Sequence, residues 1–220
     1  MMPIEIILNS DAEWKAERRK GIGASDAAAI LGMSPYKSNV ELWEEKVGLR
    51  IPEDISDKPA VEYGHAAEPY LRELFALDHP ELEVRYDSPY KIIRNSEYPF
   101  IQASPDGELV EKSTGRIGGL EIKTTEIMNP RQWKEWKDQV PQHYYCQVIW
   151  QMISTGWEFV WLKAQIKWHT QDGQLRLDTR EYPIERADVE DDIEFVLGAG
   201  IEFWQKIQTR TKPALKLPRI

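Results

Sequence analysis

Apolar and polar positions change rhythm along the chain, first with a helical period, then with a period of two, then alternating between the two. Residues 11–20 carry a helical pattern with Asp11 as the cap, and Gly21-Ile22-Gly23 breaks it. A short helix follows over 25–31, stopped by Gly32 and Pro35, and another over 38–47 ends at Gly48. Residues 49–59 read as a loop, and 62–77 as a longer helix with Tyr63, Ala67, Tyr70, Leu71 and Leu74 on its apolar side. Pro69 leaves the start of that helix open, because proline belongs in a first turn or at a kink. From residue 82 the period shortens, predicting strands over 82–86, 90–94, 100–103, 107–111 and 116–123. Pro141 opens a helix to about residue 154; strands over 157–164, 166–170 and 175–182 come next, and a helix over 184–209 closes the pattern. The order predicts an α/β (α+β-like) fold in which helices flank a central mixed β-sheet.

Composition narrows the class. A chain of 220 residues fits one domain with a substantial core, so residues 1–220 are read as one unit. Apolar content of 41% and charged content of 30% are those of a folded soluble protein, and no apolar run approaches the ~20 residues of a membrane span. The first residues carry no basic flank and no cleavage-like site. The single cysteine, Cys146, cannot make an internal disulfide or hold an iron–sulfur cluster, which favours a reducing cytoplasm and a buried, inert thiol. A net charge of −9 argues against a nonspecific nucleic-acid coat protein but not against a nuclease. Basic residues concentrate at Arg18-Arg19-Lys20 and again at Lys206, Arg210, Lys212, Lys216 and Arg219, where they can meet phosphates or form a solvated tail.

The densest chemistry lies in SPDGELVEKSTGRIGGLEIKTT, residues 104–125. Ser-Pro-Asp-Gly is strong turn chemistry, and Lys112-Ser113-Thr114-Gly115 is a hairpin connection able to bring Asp106 near Glu121. Alternation puts Leu120 and Ile122 on one face, Glu121 and Lys123 on the other. Such pairs are common on wet sheet faces, yet Asp106 and Glu121 are also suitable oxygen ligands for Mg²⁺, or Mn²⁺, with the backbone carbonyl of Ile122 as a further ligand. Lys123 would then orient or deprotonate an attacking water, or stabilise transition-state charge on a phosphate. Ser25 reads as an N-cap at a helix start able to bind an anion, with Arg18 seven residues earlier. His65, Glu68 and Arg72 share the polar side of the 62–77 helix; Tyr144, Gln147 and Gln151 share one face of the helix after Pro141, opposite Tyr145, Val148, Ile149 and Met152. Trp133, Trp136 and Trp150 read as packing residues.

SPDG followed by LEIKT resembles the restriction-endonuclease-like core of the PD-(D/E)xK nuclease superfamily. ERRKGIGASDAAAILG, EYGHAAEPYLRELF and HYYCQVIWQM resemble, in order and spacing, the motifs of the lambda-exonuclease-like, or YqaJ-type, viral recombinases from about residue 14 to 152. The resemblance implies a magnesium-dependent 5′→3′ exonuclease on linear double-stranded DNA that releases mononucleotides and leaves 3′ single-stranded overhangs for phage-type recombination. It implies two ions held by Asp106, Glu121 and Glu68, Lys123 and Gln147 in catalysis, and Arg18 and Ser25 on the terminal 5′-phosphate. His65 is not required by that pattern. A homotrimer, a single-strand annealing recombinase as partner and a bacterial cytoplasm hosting a phage or prophage are implied as well. A structure-selective or site-specific endonuclease and a catalytically inactive DNA-binding protein remain the alternatives.

Overall fold

A computed structural model describes residues 2–217, so Arg219 of the basic C-terminal run lies outside the described residues. The chain runs β1 (Ile4–Ile7), α1 (Asp11–Arg18), β2 (Ile22–Gly23), α2 (Ala27–Ile30), α3 (Asn39–Lys46), α4 (Pro59–Asp78), β3 (Leu82–Arg85), β4 (Lys91–Arg94), β5 (Ile101–Ala103) and β6 (Gly107–Glu111). It continues with β7 (Ile117–Ile127), α5 (Pro130–Glu135), α6 (Gln142–Thr155), β8 (Phe159–His169), β9 (Leu175–Glu185) and α7 (Glu190–Gln208).

The fold class is the expected mixed one, but the strands divide between two sheets rather than one. Five strands pair in the order β3-β6-β7-β8-β9, antiparallel except for the parallel β7–β8 pair. Four more pair as β1-β4-β5-β2, with β2 parallel to β5. The second sheet escapes a local reading because β1 and the two-residue β2 find partners some 80 residues further on.

Helix α6 fills the space between the sheets. Its Val148, Ile149, Trp150, Met152 and Ile153 are buried with Ala27–Ile30 and Ile22 on one side and Val160, Leu162 and Ala164 of β8 on the other. Helix α4 covers the opposite face of the larger sheet, where Leu71 and Phe75 pack with Leu109, Leu120, Ile122 and Phe159. The β7 alternation thus has a core on each side. Leu120 and Ile122 look toward α4, while Glu121 reaches α6.

Several boundaries differ from the pattern reading, each for a local reason. Ser10, not Asp11, caps α1 by accepting from the Glu13 N–H. Ser25 lies inside a 3₁₀ turn over Ala24–Asp26, where Gly23 is the capping position and the Asp26 carboxylate accepts from the Gly23 N–H. Pro59 supplies the first helical position of α4, so that helix starts earlier and carries Pro69 within it. Of its expected apolar side, Leu71 is buried and Ala67 packs against the same cluster, but Tyr70 and Leu74 are 69% and 50% exposed, and Phe75, one turn beyond Leu71, completes the buried contact. Gln165 continues β8 by pairing with Thr179, joining two expected strands into one. Ile184 pairs with Val160, which extends β9 and delays α7 to Glu190. No helix among the described residues is long and apolar enough to cross a membrane.

Candidate active site

The β6–β7 hairpin closes through Gly115, whose φ of +77° only glycine adopts without strain, and sets Gly107 opposite Leu120. That register brings Asp106 against the middle of β7. Its Oδ2 accepts from the Ile122 N–H at 2.7 Å, and its own N–H donates to the Leu120 carbonyl at 3.1 Å. Arg72 of α4 locks the turn from above, donating from Nε to the Asp106 carbonyl at 2.6 Å and pairing with Glu68 one turn earlier on the same helix. Its guanidinium lies 3.6 Å from the centre of the Tyr86 ring. Glu68, Asp106 and Arg72 therefore form one rigid unit.

Glu121 is 2% exposed and held by three side chains. Gln147 donates to Oε1 at 2.5 Å, Lys123 Nζ lies 2.5 Å from the same oxygen, and Gln151 donates to Oε2. The side-chain oxygen of Gln151 is buried with no partner among the described residues. Gln147 sits where the pattern placed it. Gln151 and Arg72 gain roles that only their shared faces hinted at, Gln151 one turn beyond Gln147 and Arg72 one turn beyond Glu68.

Glu68, Asp106, Glu121, Lys123, Gln147 and His65 line one open cleft of about 290 Å³ between α4, β7 and α6. Burial, then the charges of Glu121 and Glu68, hold the Asp106 carboxyl well above its ordinary range. Burial also raises Glu68, against the opposing pull of Arg72 and His65. Burial works against the charge of Lys123, but the Glu121 and Asp106 carboxylates outweigh it, so its pKa rises and the side chain stays an ammonium. Among the described residues no three His, Cys, Asp or Glu side chains form a group able to hold a metal ion unaided. Asp106, Glu121, Glu68 and Ile122 nevertheless bring oxygens to the same cleft, hard donors of the kind a divalent cation would take, and such a cation would relieve the repulsion that raises Asp106. His65 lines the cleft, and nothing in the geometry requires it as a ligand.

A second cavity of about 370 Å³ adjoins the first and shares His65, Glu68 and Asp106 with it. Its far wall holds Trp14 and Arg18. The Arg18 guanidinium lies 4.5 Å from the Trp14 ring centre and donates to Ser25 Oγ at 3.2 Å, so the expected pair is assembled although Ser25 is not a cap. A Cβ on Gly23 would meet that guanidinium at 2.8 Å, so glycine is what lets Arg18 lie flat against the backbone.

Other expected chemistry disperses. Lys206 pairs with Glu202 and Lys212 with Glu44, while the Lys216 N–H donates to Asn39, so much of the described basic tail is neutralised or tied down. Trp150 and Trp136 are buried, and Trp133 meets Trp168 edge-on at 4.9 Å, as packing residues. Cys146 is buried, and burial pushes its thiol up to about 11. Tyr145 is half-buried, its hydroxyl donating to Asp192 at 2.6 Å.

The YqaJ-like viral recombinase domain matches this chain over residues 13–158. The uncharacterized protein YqaJ of Bacillus subtilis (strain 168) is 33% identical over 204 residues, 92% of this chain, which spans 58% of that relative's length. Among solved structures, the alkaline exonuclease LHK-Exo of Laribacter hongkongensis superposes with a TM-score of 0.61 at 21% identity, over 90% of this chain and 95% of that one. Its complex with dAMP gives 0.58 at 22% identity over the same shares, 90% and 95%. A phage-related exonuclease from Haemophilus somnus 129PT gives 0.52 at 14% identity, over 86% and 96%. At these identities the structural likenesses establish the fold.

Proposed function

This chain belongs to the YqaJ-like viral recombinase family, and from that premise and the geometry of its cleft we propose that it is a metal-dependent 5′→3′ exonuclease on linear double-stranded DNA. The observation that carries the reading is the convergence of Asp106, Glu121, Glu68, Lys123 and Gln147 on one cleft that continues into the cavity holding Arg18.

Asp106, Glu121, the Ile122 carbonyl and Glu68 would hold Mg²⁺, two ions in the resemblance, and Mn²⁺ satisfies the same oxygen donors. Bound there, the metal supplies an activated water and charge neutralisation at the phosphate. The protein does the positioning. Gln147 and Gln151 fix both oxygens of Glu121, while Arg72 fixes Glu68 and the Asp106 turn. Lys123 is paired and charged, which favours stabilisation of the developing phosphate charge over a role as base. Arg18 takes the terminal 5′-phosphate with Ser25 beside it, setting which bond lies over the carboxylates and giving the direction of cutting. The released mononucleotide leaves a 3′ single-stranded overhang, the substrate of a single-strand annealing recombinase. A homotrimer around the duplex and a bacterial cytoplasm with a phage or prophage origin complete the proposal.

The test is degradation of 5′-phosphorylated linear, 5′-hydroxyl linear and covalently closed circular duplex, each with magnesium or EDTA. The phosphorylated linear DNA should be lost fastest, the circle should survive, and EDTA should stop all loss. Arg18→Ala should slow the phosphorylated substrate at least about tenfold, the worth of one hydrogen bond to a charged group, and erase its advantage over the hydroxyl form. Asp106→Asn should cost about a hundredfold or more while DNA binding persists. Cutting of the circle would turn the reading to an endonuclease; no magnesium-dependent cutting would turn it to a DNA-binding protein.

A further inference from the structure

The loop between α2 and α3 carries Tyr36, which is 77% exposed although its backbone is tied into a turn. Ser34 Oγ accepts from the N–H groups of Tyr36 and Lys37 at 3.2 and 3.3 Å, and Lys37 is tied to Glu45 at 2.7 Å. The Tyr36 ring is presented on a fixed turn. Inward from it runs a series of rings. Tyr36 meets His143 edge-on at 5.9 Å and 83°, His143 lies 4.0 Å from Tyr144, and Tyr144 lies 5.1 Å from the ammonium of Lys123. A path of aromatic faces thus leads from the catalytic lysine to open solvent.

Three features distinguish this from ordinary surface tyrosine. The outermost ring is open, so a planar ligand can lie on it, while the inner two are half-buried and hold it in place. Burial and the Lys123 charge push His143 down to about 4, so at neutral pH the middle ring is uncharged and stacks without hydration of an imidazolium. The carboxylates beside the ring are paired, Glu45 with Lys37 at 2.7 Å and Glu41 with Arg50 at 3.0 Å, which lessens the repulsion a DNA strand meets here on an acidic surface.

Resting on the nuclease reading, we propose that Tyr36 stacks against a nucleobase flanking the scissile phosphate and sets the substrate strand's path beyond the cleft. Such a contact is tolerant of base identity because every base offers a π-face. Phenylalanine would preserve it and alanine would not.

The experiment uses linear duplex with a 5′-phosphate and 2-aminopurine at each of the first several positions of the phosphorylated strand, whose fluorescence responds to stacking. Unmodified protein, Tyr36→Phe and Tyr36→Ala are titrated in EDTA, and KM and kcat are then measured in magnesium. At one position, unmodified protein and Tyr36→Phe should change the probe's fluorescence alike, and Tyr36→Ala should not. Tyr36→Ala should raise KM about tenfold with kcat nearly unchanged, the loss expected for one base–aromatic stack. If Tyr36→Ala matches unmodified protein in both fluorescence and KM while the DNA is degraded, the stacking assignment falls and the nuclease reading stands. If unmodified protein and Tyr36→Phe give the response lost in Tyr36→Ala but no nucleotide is released, the assignment stands and the nuclease reading falls. No response at any position overturns the assignment.

Discussion

Glu121 shows how a single side chain is made dependable. A carboxylate 2% exposed has little water to orient it, so its direction rests on Gln147, Gln151 and Lys123. Lys123 is shared with the reacting phosphate in the proposed mechanism, and Gln147 lines the cleft. The Gln151 side chain is wholly buried and does nothing but hold Glu121 through its amide N–H, its Oε1 being unpartnered among the described residues. Gln151→Leu should therefore leave the fold intact while lowering magnesium affinity about ten- to a hundredfold, the usual cost of losing a group that orients a metal ligand. Magnesium titration of the cleavage rate checks it, with circular dichroism to verify folding. An unchanged titration would mean that Gln147 alone suffices.

Among elements, α4 is the one whose placement the site depends on. Its middle carries Glu68 and Arg72, its buried contact is Leu71 and Phe75, and its C-terminal end is held to β9 by His79. His79 reaches Glu181 at 2.7 Å and Glu81 at 3.1 Å while its ring packs on Phe75 and Trp161 at 4.4 and 4.6 Å. Burial alone would lower its pKa, but the hydrogen bonds to Glu181 and Glu81 outweigh it and raise it. A raised cation pKa stabilises the fold fully below the unfolded value near 6.5, and that contribution is lost as pH climbs through the higher folded value. The melting-temperature gap between the natural protein and His79→Gln should be wider at pH 6 than at pH 8.5. A gap independent of pH would assign His79 to packing alone.

Helix α4 also marks how far the chain could be read before its structure. The β6–β7 hairpin was legible because turn residues and a period of two are local signals, and Asp106, Glu121 and Lys123 come together as that reading placed them. The buried side of α4 was legible only in part, Leu71 but not Phe75, because Tyr70, Leu71, Leu74 and Phe75 are all apolar and only the sheet beneath decides which are covered. Ser25 was misread as a cap for the opposite reason: Asp26, one residue on, bonds the Gly23 N–H and starts the turn earlier. The division into two sheets depends on pairings between remote short strands, which leave no local trace.

On the scale of the molecule, a chain of net charge −9 that binds DNA as proposed would do so with many of its described lysines and arginines already paired with carboxylates. On the proposed reading, binding would lean on the metal, on Arg18 and on aromatic surface rather than on a broad basic face. The two cavities that divide this work are not separate rooms; His65, Glu68 and Asp106 are common to both walls. In the proposed reaction, a nucleotide just cut free would still occupy the space between Arg18 and the carboxylates, and the next chain end would have nowhere to settle until it goes. The enzyme must empty before it can reload. Free deoxynucleoside 5′-monophosphate should accordingly inhibit in competition with DNA ends, raising KM without lowering kcat, and Arg18→Ala should blunt that inhibition. Steady-state rates at increasing monophosphate will show whether turnover here is governed by exit.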